Sequence, residues 1–249
     1  MATPEHGEKI IDQIHQFVIE RLVPIHVGGV DISFTNSALW AVIAVTCASL
    51  LFILAPRNLI PTRLQSVAES IYELVYDITH DVLHENARTY FPFVLTLFVF
   101  ILFANVLGLI PYSFTVTSHI VITLALALVV FIGATIIGFI RNGFGYLKLF
   151  VPSGVPVFLL PLVVVIEIVS YFIRPMSLSI RLFANMMAGH MMLKVMAGFV
   201  VMLGVTAGWL PLVAMVGLMG LELLVAALQA YVFALLTCMY LSDAMHVDH

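Results

Sequence analysis

Charge is scarce in this sequence. Asp, Glu, Lys and Arg make up 10% of its 249 residues, against about 25% in soluble domains, so a solvated surface around a water-soluble core is excluded. No cluster of Lys and Arg occurs; without one there is no patch to neutralise phosphates, and nucleic acid is not an expected partner. Cysteine is limited to Cys47 and Cys238, both inside apolar runs and without a pairing framework or metal-ligand spacing. They read as packing residues, and neither a metal nor another cofactor is expected. The N-terminus, MATPEHGEKIIDQ, lacks the basic region and apolar core of a secretory signal and the Arg-rich, acid-poor character of a transit peptide. Targeting is left to the first membrane span.

What fills the sequence is apolar. Hydrophobic residues reach 62% and mean hydropathy is +1.13, where soluble domains hold about 45 to 50% apolar residues. The chain reads as an all-α, polytopic membrane protein. A helix needs about 20 apolar residues to cross roughly 30 Å of hydrocarbon. Stretches of that kind lie at 38–55, 90–112 and 116–140, the first two uncharged and the third carrying His119. Each should span as a helix, since a lone strand cannot satisfy its backbone in lipid. From 156 to 241 the chain is almost continuously apolar, broken by GVTAGWLP at 204–211, whose glycines and proline end helices. That break yields spans at 156–203 and 209–241. The first of these would be roughly 70 Å long at about 1.5 Å per residue, so it must tilt steeply, lie partly in the membrane plane, or break near Pro175. The last two of the five spans are expected to form a long, strongly tilted hairpin. The organisation is an N-terminal interfacial segment, 1–35, followed by a single transmembrane domain, 36–249.

Two amphipathic segments lie outside the spans. At 63–86, Leu64, Val67, Ile71, Leu74, Val75, Ile78 and Val82 recur at helical spacing, and Glu69, Glu73, Asp77 and Asp81 share the opposite face. The segment reads as an interfacial helix, with a partner-binding helix as the alternative. Residues 10–22 repeat the pattern more weakly. Five spans would gather Arg57, Arg63, Arg88, Arg141 and Lys148 on one side, the cytoplasm or matrix. The C-terminus falls on that inner side, and the N-terminus and the turns at 111–118 and 204–211 fall outside.

Glu167, Arg174, Arg181, His190, Lys194 and Glu222 lie inside the last two spans. An ionised group at mid-depth costs roughly 2.5 to 3.5 kcal/mol, so such groups face a cavity, a partner or an ion path. Lys194 can snorkel to an interface, and so can Arg174, whose neighbour Pro175 marks a kink or a site. Arg181 cannot be deprotonated, and it sits in SLSIRLFANMMAGH among apolar and small residues. At about 100° per residue Glu167, Arg174, Arg181 and Asn185 form one polar stripe. Glu222 and Gln229, seven residues apart, share a face of the following helix. Antiparallel packing can bring Gln229 near Arg181 and Glu222 near His190. His190 is about 180° around from Arg181 on an ideal helix; unless the helix is distorted, Arg181 looks outward to a partner while His190 and Glu222 line a pocket behind it. An imidazole beside a carboxylate is a proton relay or a satisfied interhelical hydrogen bond, and Arg181 is a functional charge or a structural one paired within the bundle.

The run PMSLSIRLFANMMAGH at 175–190, followed by LELLVAALQAYVFALLTCMYLS at 221–242 and preceded by NVLGLIPY at 105–112, resembles the a subunit of F-type ATP synthases. The resemblance covers the chain from the first span to the C-terminus and leaves out roughly the first 35 residues. It implies a stator subunit of the rotary Fo sector, providing two proton half-channels to and from the carboxylates of a c-ring, with Arg181 as the electrostatic gate between them. It implies that Asn185 and Gln229 are neighbours of that arginine, that Glu167 belongs to the cytoplasmic exit path, and that His190 and Glu222 are an exchangeable His/Glu pair on the outer path. Some family members carry Glu first and His second; the order here is similar to that of mitochondrial and related bacterial members. The acids that some bacterial members carry near the outer end of the second span are missing around Gly108 and Ser113. Further implications are the c-ring proteolipids, the subunit b stalk, the rest of the F1Fo complex and membrane lipid as partners, no catalysis by the chain alone, and residence in a bacterial inner membrane or, alternatively, a mitochondrial one. Two other classes fit less well. A stand-alone secondary transporter tends to show paired broken helices in two related halves, and no repeat is visible here. A purely structural anchor does not need Glu167, Arg181, His190 and Glu222 in lipid.

Overall fold

The computed structural model describes residues 21–23, 26–27, 30–31, 33–55, 60–110, 113–151 and 158–245. Ahead of the first span lie two minimal antiparallel ladders. Strand β1 (Arg21–Val23) pairs with β4 (Phe34–Thr35), and β2 (His26–Val27) pairs with β3 (Val30–Asp31). The amphipathic pattern at 10–22 falls outside the described residues except for Arg21 and Leu22, which lie in β1.

The remaining architecture is helical, and five helical stretches are long and apolar enough to cross a membrane. Helix α1 (Asn36–Leu54) starts where the Thr35 hydroxyl accepts from the Ala38 amide at 3.4 Å. Little of α1 is buried by its own chain: Ser37, Ala44 and Ala48 are covered, while Val42, Val45, Leu50 and Ile53 face outward as lipid-contact residues do. Helix α2 (Arg63–Leu83) is capped by Thr62, whose hydroxyl accepts from the Gln65 amide at 3.4 Å. Its buried stripe runs through Gln65, Ala68, Val75, Ile78, Thr79 and Leu83, and the acids Glu69, Glu73, Asp77 and Asp81 are exposed. Leu64, Val67 and Leu74 are apolar and exposed, so the helix presents protein-facing, apolar and acidic strips in turn. A 3-10 turn at His84–Asn86 leads into α3 (Ala87–Gly108), where Phe91 packs edge-on against Tyr72 and Tyr76 of α2.

The second span was expected at 90–112 and α3 ends at Gly108, because the Ser113 hydroxyl turns back onto the Leu107, Gly108 and Ile110 carbonyls. A 3-10 turn at Val116–Ser118 delays α4 (Ile120–Asn142) relative to the expected start at 116. A longer 3-10 run, Gly143–Phe150, follows and sets the Tyr146 ring against Phe139. Helices α5 (Leu160–Ala207, 48 residues) and α6 (Trp209–Met245, 37 residues) complete the chain. Pro175 lies inside α5 and the helix continues through it; the non-helical residue is Gly204, at φ 59 and ψ −155. The chain thus turns at the predicted glycine and not at the proline, since membrane helices tolerate proline where neighbouring groups take up the freed carbonyl.

The chain forms two compact units. The first takes described residues from Met1–Leu54, Val99–His119 and Phe183–Gln229, the second from Ala55–Phe98, Ile120–Leu182 and Ala230–His249. In the first, Ala44, Ile101, Ala104, Val116, Met186 and Ala226 are buried together with the polar Asn105, Thr115, Thr117, His190 and Glu222. In the second, Val75, Val94, Val130, Leu178, Leu182, Phe233 and Leu241 make the core. Cys238 is fully buried there, its thiol 3.9 Å from the Thr79 hydroxyl, which is a packing role.

Candidate functional site

In the first unit the polar core centres on His190. Its position on α5 is one turn beyond Met186, whose carbonyl lies 2.9 Å from Nδ1. Glu222 reaches in from α6 and sets Oε1 at 2.8 Å from the same nitrogen, the two side chains being 8% and 5% exposed. On the far side of the ring Nε2 meets the Gly108 carbonyl at 2.8 Å and the Thr115 hydroxyl at 3.0 Å. Apart from His190, neither carboxylate oxygen of Glu222 has a hydrogen-bond partner among the described residues. The imidazole is thus the polar group that faces this buried carboxylate.

Gly189 leaves room for the Glu222 side chain. A Cβ there would lie 2.5 Å from Glu222 Oε1 and 2.8 Å from its carboxyl carbon. Beside this contact is a cavity of about 200 Å³ lined by Asn185, Gly189, Glu222, Met192 and Leu221 among others. Asn105 on α3 ties to α6 by donating from Nδ2 to the Ala226 carbonyl at 3.2 Å. Gln229 is buried in the same unit.

The second unit holds the other half of the predicted polar residues. Arg174 lies 3.7 Å from Glu167, one predicted stripe neighbour, and donates from Nη1 to Asp243 Oδ2 at 3.0 Å. Asp243 was not singled out from sequence; an acid in the last turn of a helix, where a base is favoured, was the available signal. Three hydroxyls continue the polar region, Thr135 to Tyr171 at 2.6 Å and Tyr171 to Tyr146 at 2.9 Å. Arg181 is different. It is exposed on the surface of α5, and among the described residues it has no ion pair and no side-chain hydrogen bond. Lys194 is half-buried on the same helix in the first unit. Among the described residues no group of three or more His, Cys, Asp or Glu side chains is placed to hold a metal.

One unit buries an imidazole beside a carboxylate, and the other holds one arginine between two carboxylates and a second, exposed arginine. These are groups that hold and pass protons in an apolar protein. Residues 37–242 match the ATP synthase A chain family. The ATP synthase subunit a of Parvibaculum lavamentivorans is 55% identical over 248 residues, covering 96% of this chain and 95% of that protein. The corresponding subunits of Pelagibacter ubique and of a Chelativorans species are 54% and 56% identical, with 95% and 96% of this chain and 98% and 99% of theirs aligned. Since both matches span nearly the whole chain, it belongs to the ATP synthase A chain family, as a multi-pass subunit a of the Fo sector.

Proposed function

We propose that this chain is the stator that carries protons to and from the carboxylates of a c-ring through two half-channels, with Arg181 as the electrostatic gate between them. Arg181 is the observation that supports this most directly. A guanidinium cannot shed its charge, and in an apolar span it needs a counter-charge. Arg174 has two within its own chain, while among the described residues Arg181 has none and is exposed. The counter-charge therefore comes from another chain, and a ring carboxylate supplies it. At about 4 Å and an effective dielectric of about 20 their attraction is on the order of 4 kcal/mol, which drives the arriving carboxyl to release its proton.

On the outer side protons come through His190 and Glu222 to a ring carboxylate that has just left Arg181, and on the inner side they leave past Glu167, with Asn185 and Gln229 bordering the arginine. A fixed cation between the two paths opposes direct passage and turns a leak into rotation. The subunit works with the c-ring, the subunit b stalk and the rest of the complex in a bacterial inner membrane, with its N-terminus outside and C-terminus inside. Replacing Arg181→Ala is expected to abolish ATP-driven proton pumping in inverted membrane vesicles while the assembled complex still hydrolyses ATP. Pumping at the unsubstituted rate would overturn the gate.

A further inference from the structure

The groups around His190 are not equivalent. Nδ1 faces the Met186 carbonyl at 2.9 Å and the Glu222 carboxylate at 2.8 Å, both acceptors, so this nitrogen carries a proton whether the ring is charged or neutral. Nε2 is then the nitrogen that gains and loses one. Its neighbours are the Gly108 carbonyl at 2.8 Å, which can only accept, and the Thr115 hydroxyl at 3.0 Å, which can do either. We propose that the Thr115 hydroxyl is a two-position switch that satisfies both protonation states of His190, which makes Thr115 a positioning residue of the outer proton path. This rests on the proton-path reading above.

With Nε2 protonated, the ring donates to the Gly108 carbonyl and Thr115 donates to the same oxygen, 3.2 Å away. With Nε2 bare, the hydroxyl turns and donates to it. Ser113, whose Oγ is 3.1 Å from the Gly108 oxygen and also reaches the Ile110 carbonyl at 2.7 Å, can fill the vacated lone pair. With the ring protonated, three donors surround one carbonyl with two lone pairs; with it neutral, Thr115 serves Nε2 and Ser113 serves the carbonyl. Removing the Thr115 hydroxyl takes away a donor that the bare nitrogen can use, while the Gly108 carbonyl beside it can only accept.

Two features set this hydroxyl apart from ordinary packing. Thr115 occupies the N-cap position of the 3-10 turn Val116–Ser118, where a threonine normally accepts from the turn's amides, yet its side chain makes no cap hydrogen bond. Its carbonyl instead accepts from Ser118. The hydroxyl is 2% exposed and lies on the Gly108 backbone in space that a side chain would take, since a Cβ on Gly108 would be 2.7 Å from Thr115 Cγ2 and 3.0 Å from its oxygen. The nearby titratable groups on the packed elements are Glu222 on α6, Lys194 one turn further along α5, and His119 four residues after Thr115. Glu222 stands on the Nδ1 side, so it sets the ring's charge without competing for Nε2.

The test is ATP-driven proton pumping across pH in inverted vesicles holding the whole complex, with Thr115→Val, Thr115→Ala and Thr115→Ser, and with ATP hydrolysis reporting assembly. Val and Ala remove the donor that faces the bare ring nitrogen, and Ser keeps it. The alkaline limb of pumping should move up by about one pH unit and the rate at pH 7 should fall by about tenfold; Ser should restore both. A role in packing alone predicts the reverse grouping, with Ser and Ala alike and Val near wild type. Profiles for all three that match wild type, or Ser and Ala profiles that coincide, overturn the proposal. Where Val does not assemble, the Ser and Ala pair decides, because they differ by one oxygen. A parallel Glu222→Gln variant separates this from the reading beneath it. Slowed pumping in that variant with unmoved Thr115 profiles sinks only the switch, whereas wild-type rate and pH dependence in Glu222→Gln sinks the His190 and Glu222 path itself.

Discussion

Gly189 shows how little room the buried His190 and Glu222 pair has. Glu222 occupies the space that any side chain at 189 would claim, and its carboxylate holds to Nδ1 of His190 at 2.8 Å. A Gly189→Val substitution should push the carboxylate away from the ring and leave a buried charge without its partner. Breaking such a buried pair costs about 3 to 5 kcal/mol where both members are charged, so the proposed outer path should be impaired. Proton pumping by Gly189→Val vesicles is expected to fall at least about tenfold, and restoring space with a second change, Glu222→Asp, should recover part of it. Equal pumping in Gly189→Val and wild type would show that the carboxylate has freedom the packing does not suggest. Arg174 and Arg181 illustrate the same point from the side of cations: they sit two turns apart on α5, one clamped between Glu167 and Asp243, the other open to its surroundings. Sequence alone treats them as two arginines on one stripe.

At the scale of elements, the break between α5 and α6 rests on Gly204, whose φ of 59 with ψ of −155 lies in a region essentially restricted to glycine. Gly204→Ala should destabilise the turn by about 1 to 3 kcal/mol, read as a lower melting temperature of the detergent-solubilised complex; an unchanged melting temperature would mean the turn adapts. Much of this level was legible beforehand. Long apolar runs give the five membrane helices, the Gly204 turn follows from a glycine and proline cluster, and the acidic face of α2 follows from its period. The His190 and Glu222 contact was readable because two rare polar residues in antiparallel helices have few other places to go. Asp243, Gly108 and Thr115 were not readable. Their partners come from elements 69 residues away for Arg174 and Asp243 and 75 for Thr115 and His190, and a threonine or glycine in an apolar run carries no periodic signal. The starts of α4 and the end of α3 were likewise displaced by hydroxyls that close turns on nearby carbonyls, a local chemistry that hydropathy does not register.

For the whole molecule, the second unit gathers several chain ends. Arg141, at the end of α4, donates to Asn86 ahead of α3 at 2.9 Å, and Asn142 donates to the Ala244 carbonyl near the end of α6 at 2.8 Å. Arg63 and Arg88 begin α2 and the first turn of α3 in that same unit. Basic residues at such ends favour the cytoplasmic side. The proposed orientation predicts that a membrane-impermeant maleimide labels Glu85→Cys in inside-out vesicles and Thr206→Cys in right-side-out vesicles, with the buried Cys238 silent in both; the opposite pattern would invert the topology. Arg181 has one more consequence, and it concerns the life of the chain before it functions. An orphan copy inserted without its neighbours would present a permanent cation to hydrocarbon, at a cost of roughly 2.5 to 3.5 kcal/mol. That corresponds to about a hundredfold in the balance between free and docked subunits. The side chain proposed here as the gate also makes a lone subunit costly to hold in lipid, so solvation itself favours the docked copy.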